Sequence, residues 1–312
     1  MTEPVDIDVG EQARLVPRGS GLHAPGSDLP LLALGVMCAS AAGPLVAATT
    51  APALAIAFWR NGLGTLVVLP YALLRCGREL VRIPPRSLCL ALFAGVLLAV
   101  HFGTYVPSLR YTSVASAAAL VCSQSVWAAV FARILGQRLP PTAVAGIAVA
   151  LAGVLFVTGV DMSLASDALF GDLLAMLGGV FGGAYMVTGG QVRRHVSTTL
   201  YTAICYGCCA LLLLLVCLLT GQQLSGYSAR DWGMIVAITA LAQLLGHSMF
   251  NLVLRSTSPT VVSLATLFTV PLSTVLAALI VGQMPPLAAL PALALLVVGI
   301  GMVIWARDRP VS

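Results

Sequence analysis

One arginine and two histidines stand where an apolar chain has least reason to keep them. Arg60 falls inside the apolar stretch Pro52–Leu74, His101 inside Ser87–Val106 and His247 inside Trp232–Leu254. No Asp or Glu lies in the middle of any such stretch; Asp172 sits only near the start of one. An arginine at a bilayer centre costs about 2.5–3.5 kcal/mol on insertion scales. Kept at that cost, Arg60 either faces a watery cavity and attracts a carboxylate or phosphate, or binds helix-end carbonyls and ordered water. Imidazole, with an ordinary pKa near ~6.5, suits a proton switch. Its plainer use is an interhelical hydrogen bond, worth only ~0.6 kcal/mol. Tyr105 and Asn251 follow the two histidines at helical i, i+4 spacing. Gln124, Tyr185 and Tyr206 sit deep in their own stretches, and apolar pockets carry a few convergent polar groups of this kind. Arg60, His101, Tyr105, Gln124, Tyr185, Tyr206, His247 and Asn251 are the candidate substrate-binding residues.

Other chemistries find little support. Cys205, Cys208 and Cys209 form a C-x-x-C-C without a neighbouring His or carboxylate, which reads as buried thiols rather than a metal or disulfide site. No metal and no cofactor is expected. The chain lacks a G-x-x-x-x-G-K-[ST] phosphate cradle, so ATP does not power it directly. An intramembrane enzyme acting on lipids would need clustered carboxylates, a metal set or a Ser/His/acid arrangement, and a non-transporting sensor remains the other alternative.

The elements holding these residues follow from composition. Hydrophobic residues make up 59% of the 312 and charged residues 9%, against roughly half and a quarter in soluble proteins. In hydrocarbon each unpaired backbone group costs several kcal/mol, so long apolar stretches must be helical, and about 20 residues span the ~30 Å core. Ten such spans are expected: Leu29–Thr49, Pro52–Leu74, Ser87–Val106, Thr112–Leu135, Thr142–Val160, Ala168–Gly190, Thr198–Thr220, Trp232–Leu254, Thr260–Val281 and Leu287–Ala306. Pro, Gly and Arg clusters mark the breaks. The chain has no lysine, and with the N-terminus inside, thirteen arginines fall in inner segments and only Arg110 and Arg230 in outer ones. That bias places both termini in the cytoplasm and the protein in a cell membrane. It also accounts for most of the +5 net charge without a nucleic-acid partner.

Shifted by 146 residues against itself, the chain superposes His101 on His247, Tyr105 on Asn251 and Gly136-Gln137 on Gly282-Gln283. Each half holds five spans, an odd number, so the second copy is upside down. The expected fold is an all-α integral membrane protein of ten transmembrane helices in two inverted five-helix repeats. Residues 29–160 form the first repeat and 161–306 the second. Residues 1–28 form a disordered cytoplasmic tail, and 307–312 a short one. Inverted repeats are a transporter architecture with substrate near the midplane.

Phe58-Trp59-Arg60, Leu109-Arg110-Tyr111-Thr112-Ser113-Val114-Ala115-Ser116, Gly246-His247-Ser248-Met249-Phe250-Asn251, Arg255-Ser256-Thr257-Ser258-Pro259 and Thr266-Leu267 together resemble the drug/metabolite transporter superfamily, specifically its EamA-type members. The resemblance covers nearly all of Leu29 to Ala306. It implies an inner-membrane carrier that exports amino acids, metabolites or drugs by alternating access. Three departures from the family pattern fall at four places. Gly136-Gln137 and Gly282-Gln283 replace Gly-Glu, Val270-Pro271 lacks the usual Glu before Pro, and Gln124-Ser125 stands where Gln-Pro is common. A small-molecule solute and the lipid bilayer are the expected partners. Proton coupling, facilitated diffusion, exchange and a homodimer all stay open.

Overall fold

In a computed structural model of the chain, residues 28–136, 139–164, 167–193, 195–253, 265–285 and 287–306 are described. The expected tails lie outside this set apart from Asp28, as do Gln137, Arg138, Arg194 and Arg255.

The architecture is all-helical. α1 (Asp28–Ala47) has a turn at Ala41. Next come α2 (Ala53–Arg82), α3 (Pro85–Ser108), α4 (Val114–Ile134), α5 (Pro141–Leu164), α6 (Ala168–Val192) and α7 (Thr198–Leu219). α8 covers 229–253 in three segments, with a π-helix at Thr239–Gly246 between two α-helical ends. α9 (Ala265–Val281) and α10 (Leu290–Ala306) complete the ten. Six of them, α1 to α4, α6 and α7, have 20 to 30 residues and are apolar enough to cross a bilayer. This is a multi-pass membrane protein.

Local chemistry sets the ends. Ser113, Ser197 and Ser228 accept backbone N–H bonds from Ser116, Leu200 and Asp231 and so cap α4, α7 and α8. Gly136 and Gly282 close α4 and α9, because they have φ of 88° and 70°, a left-handed turn that glycine enters freely. Sequence reading ends α2 at Leu74, but the helix continues about two turns further, to Arg82. Arg75, Arg78 and Arg82 are good helix formers, and only the extended residue Ile83 ahead of Pro84 stops them. At 1.5 Å per residue, α2 is about 45 Å long, so its last turns extend past the hydrocarbon.

The helices pair in a pattern that survives exchange of the two halves. α1 packs on α8 and α9 as α6 packs on α3 and α4, while α2 with α7, α4 with α9 and α5 with α10 are self-paired. These are the contacts of two repeats related by a pseudo-two-fold axis, and five crossings per repeat turn that axis into the membrane plane. The α5–α10 seam is tight: a Cβ on Gly153 would lie 2.8 Å from the Leu296 Cα, the close backbone approach that drives helix association in lipid.

Two helices lose regularity at matching depths. In α4 the Ser123 N–H bonds the Leu120 carbonyl, and in α9 the Phe268 N–H bonds the Ala265 carbonyl, an i−3 tightening in each case. Pro271 explains the second, since it has no N–H to give and crowds the preceding turn. The first occurs without a proline, beside Gln124-Ser125. The two irregular turns face one another, with Cys122 Sγ and Thr269 Oγ1 3.8 Å apart.

Candidate functional site

Arg60 lies seven residues into α2, about 10 Å down the axis. It is 2% exposed. Its Nε donates to Gln243 Oε1 at 2.8 Å. Gln243 Nε2 donates to Asn61 Oδ1 at 2.9 Å, and Asn61 Nδ2 donates to the Ala57 carbonyl at 2.8 Å. The guanidinium carbon sits 4.2 Å from the centroid of the Phe102 ring. Every one of these partners is neutral. Of the five N–H donors on a guanidinium, only the Nε–H meets an acceptor among the described residues.

Gln243 comes from the π-helical segment of α8, whose wider turn is a geometry often found at functional sites. Tyr206 of α7 meets the same place: a Cβ on Gly64 would lie 3.4 Å from Tyr206 Cδ2 and 3.6 Å from Gln243 Nε2. Sequence reading passes over Gln243, Asn61 and Phe102. The signal for Gln243 is present, an amide four residues before His247 in an apolar span.

A second group joins α3, α4 and α6. His101 lies seven residues before the end of α3, level with Arg60. Its Nδ1 is 2.8 Å from the Gly178 carbonyl, which can only accept, so Nδ1 carries the proton and Nε2 is the acceptor. The imidazole stacks on Tyr105 at 6.0 Å between centroids. A Cβ on Gly182 would lie 2.6 Å from Gln124 Oε1 and 2.9 Å from His101 Nδ1, so both side chains converge on that glycine. Both His101 and Tyr105 are within electrostatic reach of Arg60.

His247 completes the arrangement. It is exposed, yet it interacts electrostatically with Arg60 and His101. It therefore lies near Arg60 and His101 of the first repeat although it belongs to the second. Tyr185 goes elsewhere, stacking on Tyr201 at 6.2 Å near Arg193, which lies 5.9 Å over the Tyr201 ring. Asn251 is on α8, but its side chain is outside the described residues.

A cavity of about 580 Å³ opens where α1, α3 and α7 end and α2, α4, α6 and α8 begin, here termed the Thr50 face. Arg110, Tyr111, Phe170 and Leu174 help to line it. At the same face Asp231 of α8 accepts the Thr50 N–H and hydroxyl, each at 2.8 Å, and Gln283 Oε1 accepts the Val114 N–H at 3.0 Å. Gln283, after the end of α9, thus binds the first turn of α4 and bridges the two halves.

The paired helical halves and their apolar spans define a multi-pass membrane protein built from two related units. A family model described as the EamA-like transporter family matches the chain twice, over residues 29–159 and 169–305. The chain belongs to that family. One crystal structure among solved proteins is 21% identical and covers 90% of this chain and 98% of its own, with a TM-score of 0.64. That likeness supports the fold alone. No curated protein matches the chain.

Proposed function

We propose that this protein is a secondary carrier that moves a small carboxylate- or phosphate-bearing solute out of the cell, through alternating exposure of a site around Arg60. The observation that carries the reading is a buried guanidinium whose partners are an amide and a ring face, leaving its charge uncompensated. A fixed cation in a low-dielectric site attracts an anion far more strongly than it would in water. Gln243 and Phe102 hold the guanidinium, while Tyr105, Tyr206, Gln124 and His101 supply neutral donors and acceptors around it. Rocking of one five-helix repeat against the other exposes the site to each side in turn. In this reading the Thr50 face is outside and both termini are inside, as the arginine distribution demands.

Purified protein reconstituted in proteoliposomes tests this with a panel of labelled anionic, zwitterionic and neutral metabolites. Arg60→Lys, a point charge without the planar fork, is expected to impair flux of anionic or zwitterionic solutes while expression persists. Arg60→Gln is expected to abolish it. Unchanged flux in both variants removes Arg60 from the site, and lipid hydrolysis or transfer without solute flux replaces the carrier reading with the enzymatic one.

A further inference from the structure

The cavity at the Thr50 face has a charge of its own, and nothing in the central site uses it. Arg110 follows α3 and leans across the cavity wall, where Nη2 donates to the Ala51 carbonyl at 2.8 Å. That bond fixes one end of the guanidinium. The rest of its N–H groups meet no acceptor among the described residues. The nearby carboxylate, Asp231, is already engaged: Oδ1 takes the Thr50 N–H, and Oδ2 takes the Thr50 and Ser228 hydroxyls, each at 2.8 Å. Asp231 thereby ties the α1–α2 connection to the start of α8, and its charge acts on Arg110 only through space, with no hydrogen bond between the two among the described residues.

We propose that this vestibule is a separate anion-capture site, where Arg110 holds the carboxylate or phosphate of a small solute beside the Gln222 and Tyr111 side chains. Its volume of about 580 Å³ lies within the usual ~300–1,000 Å³ of small-molecule pockets, which suits a metabolite. Leu54, Phe170 and Leu174 make part of the lining apolar, so the ligand carries a hydrocarbon or ring portion next to its charged group. Leu174 is one helical turn before Gly178, the partner of His101, so the vestibule floor lies about 6 Å above the central site at 1.5 Å per residue. Two arginines, Arg110 and Arg60, then form consecutive stations for one charge. The station role rests on the carrier reading, whereas binding at Arg110 does not.

Chemical protection of the wild-type chain tests this without altering the vestibule. Phenylglyoxal modifies accessible guanidinium groups, and peptide mass spectrometry reads Arg110 and Arg230 separately. Arg230 is exposed at the start of α8 and reports bulk effects. Millimolar inorganic phosphate, and separately benzoate, is expected to slow modification of Arg110 saturably by about fivefold or more while Arg230 reacts as before. The protection should hold in phospholipid-free maltoside micelles and persist in Arg60→Lys, which separates this site from the central one. Equal slowing at both arginines, or no slowing at Arg110, overturns the proposal. So does protection that arises only from phosphatidylglycerol in nanodiscs, since the site then holds a lipid headgroup rather than a solute.

Discussion

A guanidinium among apolar helices must put its charge somewhere, and Arg60 meets an amide and an aromatic ring rather than a carboxylate. A desolvated cation–π contact is worth about 2 kcal/mol and a hydrogen bond to a neutral group about 1 kcal/mol. Together they offset an insertion cost of about 2.5–3.5 kcal/mol, so the residue is tolerated, but its charge is not cancelled. Replacing the amide with a carboxylate changes that balance at nearly constant shape. Gln243→Glu is expected to pair with Arg60, keep the fold and lower anionic flux about tenfold or more, a change of about 1.4 kcal/mol. Flux in proteoliposomes and a thermal unfolding scan check it, and undiminished flux means that the Arg60 charge is not what the solute sees. At this scale the sequence was partly legible. Arg60, His101, Tyr105, Gln124, Tyr206 and His247 stand out as polar groups in apolar spans, and they converge. Tyr185 stands out for the same reason and pairs with Tyr201 instead, because depth in a span does not tell which neighbour a face meets.

The elements place these residues through irregularity as much as through regular helix. Gly178 and Gly182 let α6 approach α3 and α4 closely enough for His101 and Gln124 to meet. A methyl group at Gly182 would intrude on both, and the surrounding structure would have to shift. Gly182→Ala is expected to cut flux severely while leaving the amount of inserted protein near wild type, as judged by membrane immunoblot beside the flux assay. The tightened turn at Ser123 makes a different expectation. Because α4 is already irregular there, Ser125→Pro should cost well under the ~3 kcal/mol of a proline in a regular helix interior. Ala210→Pro in the middle of α7 supplies the regular-helix comparison, and equal losses in thermal stability would contradict the argument. Neither this turn nor the π-segment is visible in apolar periodicity, which reports where a span lies and not how its carbonyls are paired. The overrun of α2 escapes for the opposite reason: hydropathy ends at Leu74, but helix propensity does not.

Across the whole molecule the duplicated sequence and the exchange-symmetric packing agree, and the family model that matches each half once is consistent with both. The repeat was legible because the shift superposes His101 on His247 and each Gly-Gln pair on the other, and Gly136 and Gly282 share one left-handed backbone role. The direction of insertion rests on arginines alone. Single cysteines in an otherwise cysteine-free chain check it with an impermeant maleimide on intact cells. A cysteine replacing Arg230 is expected to react, and one replacing Arg78 on the overrun of α2 is expected to react only after the membrane is opened. The reverse pattern would turn the molecule over and place the Thr50 face in the cytoplasm.

Most directly at stake is whether water enters the interface between the two repeats. His247→Cys in the cysteine-free chain, treated with a charged methanethiosulfonate in right-side-out and inverted vesicles, measures this at an exposed residue of one repeat near Arg60 and His101 of the other. The expected result is modification from at least one side, slowed by a transported anionic solute. A thiol there that stays unmodified from both sides, in every condition of gradient and solute, would mean a dry seam and no path for a solute through it.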